Sequence, residues 1–388
     1  MLKKLIILNL TKIIQWDLSG ILFFGFFLIG IILPVNSSIP IFSLIISILI
    51  MINREKKSNQ LSLNQFQAMV PMLFFLLSVL ISIFFSETVK NSLYLSAPFL
   101  VALVMLYSIV ALFPRNDIIN LSILLSFSAL LLALISLLYS FILPTDNPSE
   151  WIKHVNSPIL ISPNDLSFLS VLTPFSVALL FLSKRFTIRY FIALVSIVAC
   201  CIVVVYFKSR GATLSMLAGI IAVAILHHNA LRISIISIIL IMCIDALNSF
   251  SLLHRLEVTF DDPSFQVRTD LWRIAWGMFS TSPLIGHGMH TFMIYQAVNI
   301  PWAHNLYIEV MAQQGLVGFA PLLLTLITMT VFSWKISSNN KDNVLASSVF
   351  GASIAFAISA MVELSFLRMW VVIVFFLLVG IYVRICEK

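Results

Sequence analysis

Three residues in this chain combine a side chain suited to chemistry with a setting that singles them out. Arg210 lies in KSRGATLSMLAGI with Lys208 two residues before it, Arg268 lies in DPSFQVRTDLWRIAWGMF four residues before Trp272, and His304 opens AHNLYIEVMAQQGLVG. A planar guanidinium grips phosphate oxygens with paired N–H groups. An imidazole with a pKa near neutrality can take a proton from a hydroxyl. Together they point to chemistry on a phosphate-bearing substrate. Other readings use the same residues. Arg210 could be a snorkelling helix-end anchor, Arg268 an exposed residue on an interfacial helix, and His304 a structural histidine. His287 and His290, in GHGMH, could be grouped with His304 around a metal ion, but no carboxylate at suitable spacing completes such a set, so no metal or cofactor is expected. They are expected to shape the turn at Gly286 and Gly288.

The elements that must position these residues are membrane spans. With 60% apolar and only 10% charged residues over 388 positions and a mean hydropathy of +1.07, the chain lies far from soluble domains. Runs long enough to cross a bilayer as helices fall at about 18–35, 40–52, 68–85, 92–113, 121–143, 166–183, 190–207, 212–226, 233–250, 316–334, 344–362 and 367–384. The expected fold is therefore all-α and polytopic, with about twelve spans in one integral membrane domain, 1–388. The segment before the first run is expected to be an amphipathic helix on the membrane surface. Cys200, Cys201, Cys243 and Cys386 lie in or beside apolar runs and suggest neither a disulfide framework nor a zinc site.

A net charge of +7 does not imply nucleic acid here, because the basic residues stand in short clusters between apolar runs. With the N-terminus inside, the inner segments hold fifteen of the 23 Lys and Arg residues, which orients both termini to the cytoplasm. The other eight, Lys90, Lys153, Lys208, Arg210, Arg255, Arg268, Arg273 and Arg368, then face outward. Five of these cluster between 208 and 273, in or near a large outer loop, 251–315. A second outer segment, 144–165, is rich in Pro, Asn and Asp and is expected to be irregular.

Within the large loop, Asp262 and Pro263 suit a helix start. Val267, Leu271, Ile274 and Met278 form a stripe expected to lie on the membrane surface, with Arg268, Trp272 and Trp276 beside it and Arg273 turned about 140° away. Asn305 suits the N-cap of the next helix. Asp245 is the one acidic residue deep in a span, and Glu363 and Arg368 are expected to pair across the last outer turn.

The SRGAT turn, VRTDLWRIAWGMF, SPLIGHGMHTF and AHNLYIEVMAQQGLVGF, with His304 eleven residues before Gly315, resemble the O-antigen ligase and polymerase superfamily. The resemblance implies an inverting, metal-independent glycosyltransferase of the bacterial inner membrane, working at the periplasmic face in lipopolysaccharide biosynthesis. Its implied donor is an undecaprenyl-diphosphate-linked glycan and its implied acceptor a sugar hydroxyl of lipid A–core. Arg210 and Arg268 would stabilise the leaving diphosphate, and His304 would take the acceptor proton or position the hydroxyl. Lys208, Trp272 and Asn305 would help bind substrate. Polymerases often carry an arginine followed by ten residues and a glycine. Arg210, Arg255, Arg268 and Arg273 lack that glycine, which favours a ligase. The alternatives are an O-antigen polymerase and a flippase for lipid-linked glycans, for which ionisable groups near the midplane would be expected.

Overall fold

The computed structural model describes residues 62–107, 118–142, 163–227, 263–295, 302–340 and 343–387, with a few isolated positions besides. The described residues are helical, without a strand: α1 (Leu63–Phe84), α2 (Val89–Leu95), α3 (Ala97–Tyr107), α4 (Ile118–Ile142), α5 (Ser167–Leu182), α6 (Ile188–Tyr206), α7 (Arg210–Leu226), α8 (Pro263–Thr281), α9 (Leu306–Asn339), α10 (Val344–Val362) and α11 (Met369–Ile385). Six segments, two of whose helices (α2 and α3) join into one, are long and apolar enough to cross a membrane, and α5, α7 and α11 are shorter apolar helices. Helices thus occupy nine of the twelve expected runs. The runs at 18–35 and 40–52 and most of 233–250 lie outside the described residues, as do 251–262 with the Asp262 cap, the irregular segment up to 162, and the N-terminal surface helix.

The bundle is inverted in polarity relative to a soluble domain. Phe74, Leu77, Leu80 and Phe84 of α1 and Leu324, Ile327, Val331 and Trp334 of α9 are exposed, whereas the serines of α5 and α10 are buried. Lipid tails satisfy apolar side chains and leave hydroxyls to find partners inside. Ser170 pairs with Ser359 at 3.3 Å, Ser176 with Ser196 at 3.0 Å, and Thr330 donates to Ser353 at 2.9 Å. The centre is α5, α7 and α10. An added Cβ on Gly351 would lie 2.8 Å from the Gly219 carbonyl oxygen and 2.9 Å from Pro174, so these backbones meet nearly without side chains between them. Helix α11 is buried on all sides, as expected of a helix apolar around its whole circumference.

Helix α9 spans 34 residues, about 51 Å at 1.5 Å per residue, well beyond the roughly 30 Å hydrocarbon core. It is broken at Gly315, whose φ of 61° and ψ of −158° are non-helical. The expected span at 316–334 is therefore the second half, and 306–314 is a separate short helix. One segment closes both halves. His287 and Gly288 N–H donate to the carbonyls of Ala312 (3.1 Å) and Gln313 (2.9 Å), while Leu316 and Val317 N–H donate to Pro283 (2.9 Å) and Leu284 (3.1 Å). These are the orphan groups that any helix end leaves. The contact admits no side chain. A Cβ on Gly315 would lie 2.3 Å from Leu284, one on Gly286 2.3 Å from Gln313, and one on Gly288 2.3 Å from Ser86 at the end of α1. Ser82 Oγ, which donates to the Gln313 carbonyl at 3.0 Å, and Ser78 Oγ, which donates to Gln314 Oε1 at 2.9 Å, tie the break to α1.

Gly315→Ala adds both the clash and a backbone conformation nearly confined to glycine, a loss expected to exceed about 3 kcal/mol. Size-exclusion of the detergent-solubilised variant should show little folded protein. Gly277→Ala, where a Cβ meets nothing within 4 Å on a helix face, should be tolerated or slightly stabilising.

Candidate functional site

The ends of α10 and the beginnings of α5, α7, α9 and α11 gather at one end of the bundle, and α8 lies beside them. Arg268, in the second turn of α8, reaches into this cluster. Its Nη2 donates to Glu363 Oε1 at 2.9 Å and its Nη1 to the Val362 carbonyl at 3.1 Å, both at the end of α10. Glu363 is buried, and burial pushes its carboxyl up against the opposing pull of Arg268. Its second oxygen, Oε2, has no hydrogen-bond partner. Arg210 is the first residue of α7, capped by Ser209, whose Oγ accepts from Ala212 N–H. The next residue, Gly211, lies directly against Glu363, since a Cβ there would be 2.9 Å from the Glu363 Cγ. The half-buried Arg210 thus sits one residue from a direct contact with the Arg268–Glu363 pair, and the half-buried Lys208 two residues before it.

His304 sits in the turn that opens α9, with a φ of 54°. Its neighbours over-determine that turn. Asn305 Oδ1 caps α9, accepting from Tyr307 (3.1 Å) and Ile308 (3.2 Å) N–H. The buried Glu309 reaches back to accept from Ala303 N–H at 3.2 Å and takes Ser365 Oγ–H at 2.5 Å. Trp272 Nε1 of α8 donates to the Ala303 carbonyl at 3.0 Å, so α8 and α9 present Arg268 and His304 as one unit. Burial first, then the charges of Arg268 and Arg368, push the His304 imidazole down to about 3, which keeps it neutral across the physiological range.

The imidazole is also held in place. Trp302 Nε1 donates to His304 Nε2 at 3.1 Å, and His304 Nδ1 is buried without a partner. The Arg368 guanidinium lies 4.6 Å above the Trp302 ring, in cation–π range. Arg368 is anchored in turn by Asp165 at 2.6 Å, which also accepts from Trp370 Nε1 at 3.0 Å.

Arg268, Trp272, His304 and Asn305 are therefore brought together, and the start of α7, which carries Arg210 just after Lys208, lies at the same end of the bundle. Two expectations change. Glu363 and Arg368 do not pair with each other: the turn between α10 and α11 directs them to Arg268 and Asp165 respectively. The stripe on α8 lies on protein, because Leu271, Ala275 and Met278 are buried against Phe292, Ala303 and Ala312, and Val267 alone of the stripe is exposed. His287 bonds Thr281 Oγ1 (2.8 Å), the Met278 carbonyl (3.0 Å) and Tyr295 OH (3.0 Å), so it fastens the end of α8. Arg273 is exposed and paired with Asp270, on the side away from the site. Asp245 is buried. Sequence reading passed over Trp302, Asp165 and Glu309. Glu309 carried a signal, an acidic residue in the opening turns of a helix just after an Asn cap.

Gly211→Val should force Glu363 aside and cost about 1–3 kcal/mol by overpacking. Thermal unfolding in detergent should show that loss shrinking in a Glu363→Ala background, because the clashing side chain is then gone.

Comparison with curated proteins finds no match. A family model described as O-antigen ligase matches residues 159–323, which hold Asp165, Arg210, Arg268, Trp302 and His304 but not Glu363 or Arg368. This is the family that the sequence motifs resemble, and the chain is a polytopic helical protein whose residues 159–323 are similar to the O-antigen ligase family.

Proposed function

We propose that this chain is a membrane glycosyltransferase of the O-antigen ligase type. It transfers a glycan from undecaprenyl diphosphate to a sugar hydroxyl of lipid A–core, at the periplasmic face of the bacterial inner membrane, with inversion and without a metal ion. The observation that carries this reading is the placement of Arg268 and Arg368 around the half-buried His304 at one end of an apolar helical bundle. The acceptor oxygen forms a bond to the anomeric carbon while the bond from that carbon to the diphosphate oxygen breaks, leaving the electron pair on the diphosphate. Negative charge therefore gathers on phosphate oxygens. Two of the five N–H groups of Arg268 are engaged by Val362 and Glu363, which leaves others for phosphate. Arg210, at the start of α7 beside Gly211, would supply a second guanidinium, and a low-dielectric surrounding magnifies both contributions.

The loop 251–315 contributes Arg268, Trp272 and His304 to one site, so the reading gives that loop the role of assembling the reaction centre. Lipid-linked donor and lipid acceptor both diffuse in the bilayer, and a site at the ends of spanning helices suits access from the membrane plane. The absence of a glycine at the polymerase spacing after the outer arginines favours ligation over polymerisation.

The test is the lipopolysaccharide pattern of a deletion strain complemented with wild type or with Arg210→Ala, Arg268→Ala or His304→Ala, each confirmed in the membrane. Each variant should lower transfer by about 10²–10³, the usual loss for one electrostatic donor. O-antigen should be missing from lipid A–core while long polymer accumulates on undecaprenyl diphosphate. Core carrying a single repeat unit would assign the polymerase reaction instead, and an unchanged ladder would overturn the transferase reading. Arg268→Lys should rescue poorly, because an ammonium keeps the charge but not the paired contact.

A further inference from the structure

An indole N–H can only donate. The 3.1 Å contact from Trp302 Nε1 therefore places a lone pair, not a proton, on His304 Nε2. A neutral imidazole with a bare Nε2 carries its proton on Nδ1. That Nδ1 is buried and has no partner. A buried donor left unsatisfied is costly, so its presence beside the Arg268 and Arg368 charges points to an oxygen that arrives with a substrate.

Everything around the ring preserves this state. Arg368, fixed by Asp165, sits on the face of Trp302, and a cation there draws electron density from the indole and strengthens its N–H as a donor. The Ala303 peptide is pinned on both sides, at its carbonyl by Trp272 and at its N–H by Glu309. The positive φ of His304 is thereby held in the substrate-free molecule.

We infer that His304 serves the reaction as a hydrogen-bond donor, through Nδ1–H, to an oxygen of the bound substrate, and that Trp302 is the positioning residue that holds it in that tautomer. The imidazole lone pair is occupied, so the proton released by the attacking hydroxyl goes to another acceptor. Oε2 of Glu363 supplies it: this atom is buried, unpartnered and attached to the same carboxylate that Arg268 holds. One C–O bond forms at the anomeric carbon, one breaks toward the diphosphate, and the proton ends on Glu363. The inference rests on the glycosyl-transfer reading and assigns roles within it.

Transfer is measured in membranes containing undecaprenyl-diphosphate-linked O-antigen and lipid A–core. The amide nitrogen of His304→Asn occupies the place of Nδ1; it donates but takes no proton. His304→Asn is expected within about tenfold of wild type, against a loss of about 10²–10³ for His304→Ala. Trp302→Phe should cost roughly 10- to 100-fold, as loss of an orienting partner does, yet add nothing in the His304→Asn background, since an amide has no tautomer to fix. Glu363→Gln, which keeps an acceptor for Arg268, should lose about 10²–10⁴. Asn as inactive as Ala, equal Trp302→Phe losses in both backgrounds, or Glu363→Gln at the wild-type rate each overturn the assignment. A wild-type chain that transfers nothing overturns the glycosyl-transfer reading instead. The tautomer is then read separately, from solid-state spectra of the histidine-labelled protein in bilayers. The signals lost in His304→Asn should be those of a ring protonated at Nδ1 alone, and a ring protonated at Nε2 overturns the inference.

Discussion

The architecture of the site depends on a backbone contact without side chains. Gly315 interrupts α9, and the segment 283–288 supplies both the donors that the first half-helix lacks and the acceptors that the second half lacks. An interrupted helix near the membrane survives only where protein satisfies its exposed peptide groups. Here the satisfaction comes from the stretch that joins α8 to α9, so the break and the loop stabilise each other. Because α8 carries Arg268 and the turn before α9 carries His304, the contact also fixes the distance between the two. Gly286, Gly288 and Gly315 are needed for approach as much as for their dihedral angles.

A second constraint is electrostatic. Ionised groups at helix ends in an apolar bundle are costly unless paired. The cluster meets this with two separate ion pairs, Arg268 with Glu363 and Arg368 with Asp165, bridged by aromatic rings. The pairs differ in what they touch. Arg368 is anchored through Asp165 and Trp302 to the turn that holds His304, and works on the ring's surroundings. Arg268 keeps unused N–H groups, and Gly211 of the Arg210 turn lies against the carboxylate of its partner Glu363. In the proposed reaction one pair belongs to positioning and the other to the substrate side.

Much of this was legible in the sequence. Apolar runs located the described helices, because a bilayer demands about 20 apolar residues per crossing. Arg210 and Arg268 stood out because the orientation expected from the charge count leaves few basic residues outside, and His304 because an imidazole can take or give a proton near neutral pH. Asn305 was readable as a cap from its place before a helix. What was not legible were pairings across the fold. Glu363 and Arg368 are near in sequence, yet a turn lies between them, and the partner of Arg368 is 203 residues away. The stripe on α8 has the period of a helix lying on a membrane, but period alone does not distinguish lipid from the apolar side of α9 and its preceding turn. The Trp302–His304 bond depends on side-chain rotamers that no spacing rule carries.

The Arg268–Glu363 pair has a consequence for turnover. Arg268 already has an anionic companion within the fold, so in the proposed reaction a diphosphate would meet a guanidinium whose charge is partly neutralised and would use the N–H groups that Glu363 leaves over. The net attraction is the difference between the two contacts. Such a site would avoid holding the spent carrier too firmly, because Glu363 keeps its share of the guanidinium throughout. An arginine with no counter-ion would bind donor and product with the same excess strength, and uniform binding of that kind adds nothing to the rate once the site is saturated. Glu363 would act in this respect as a counterweight built into the end of α10.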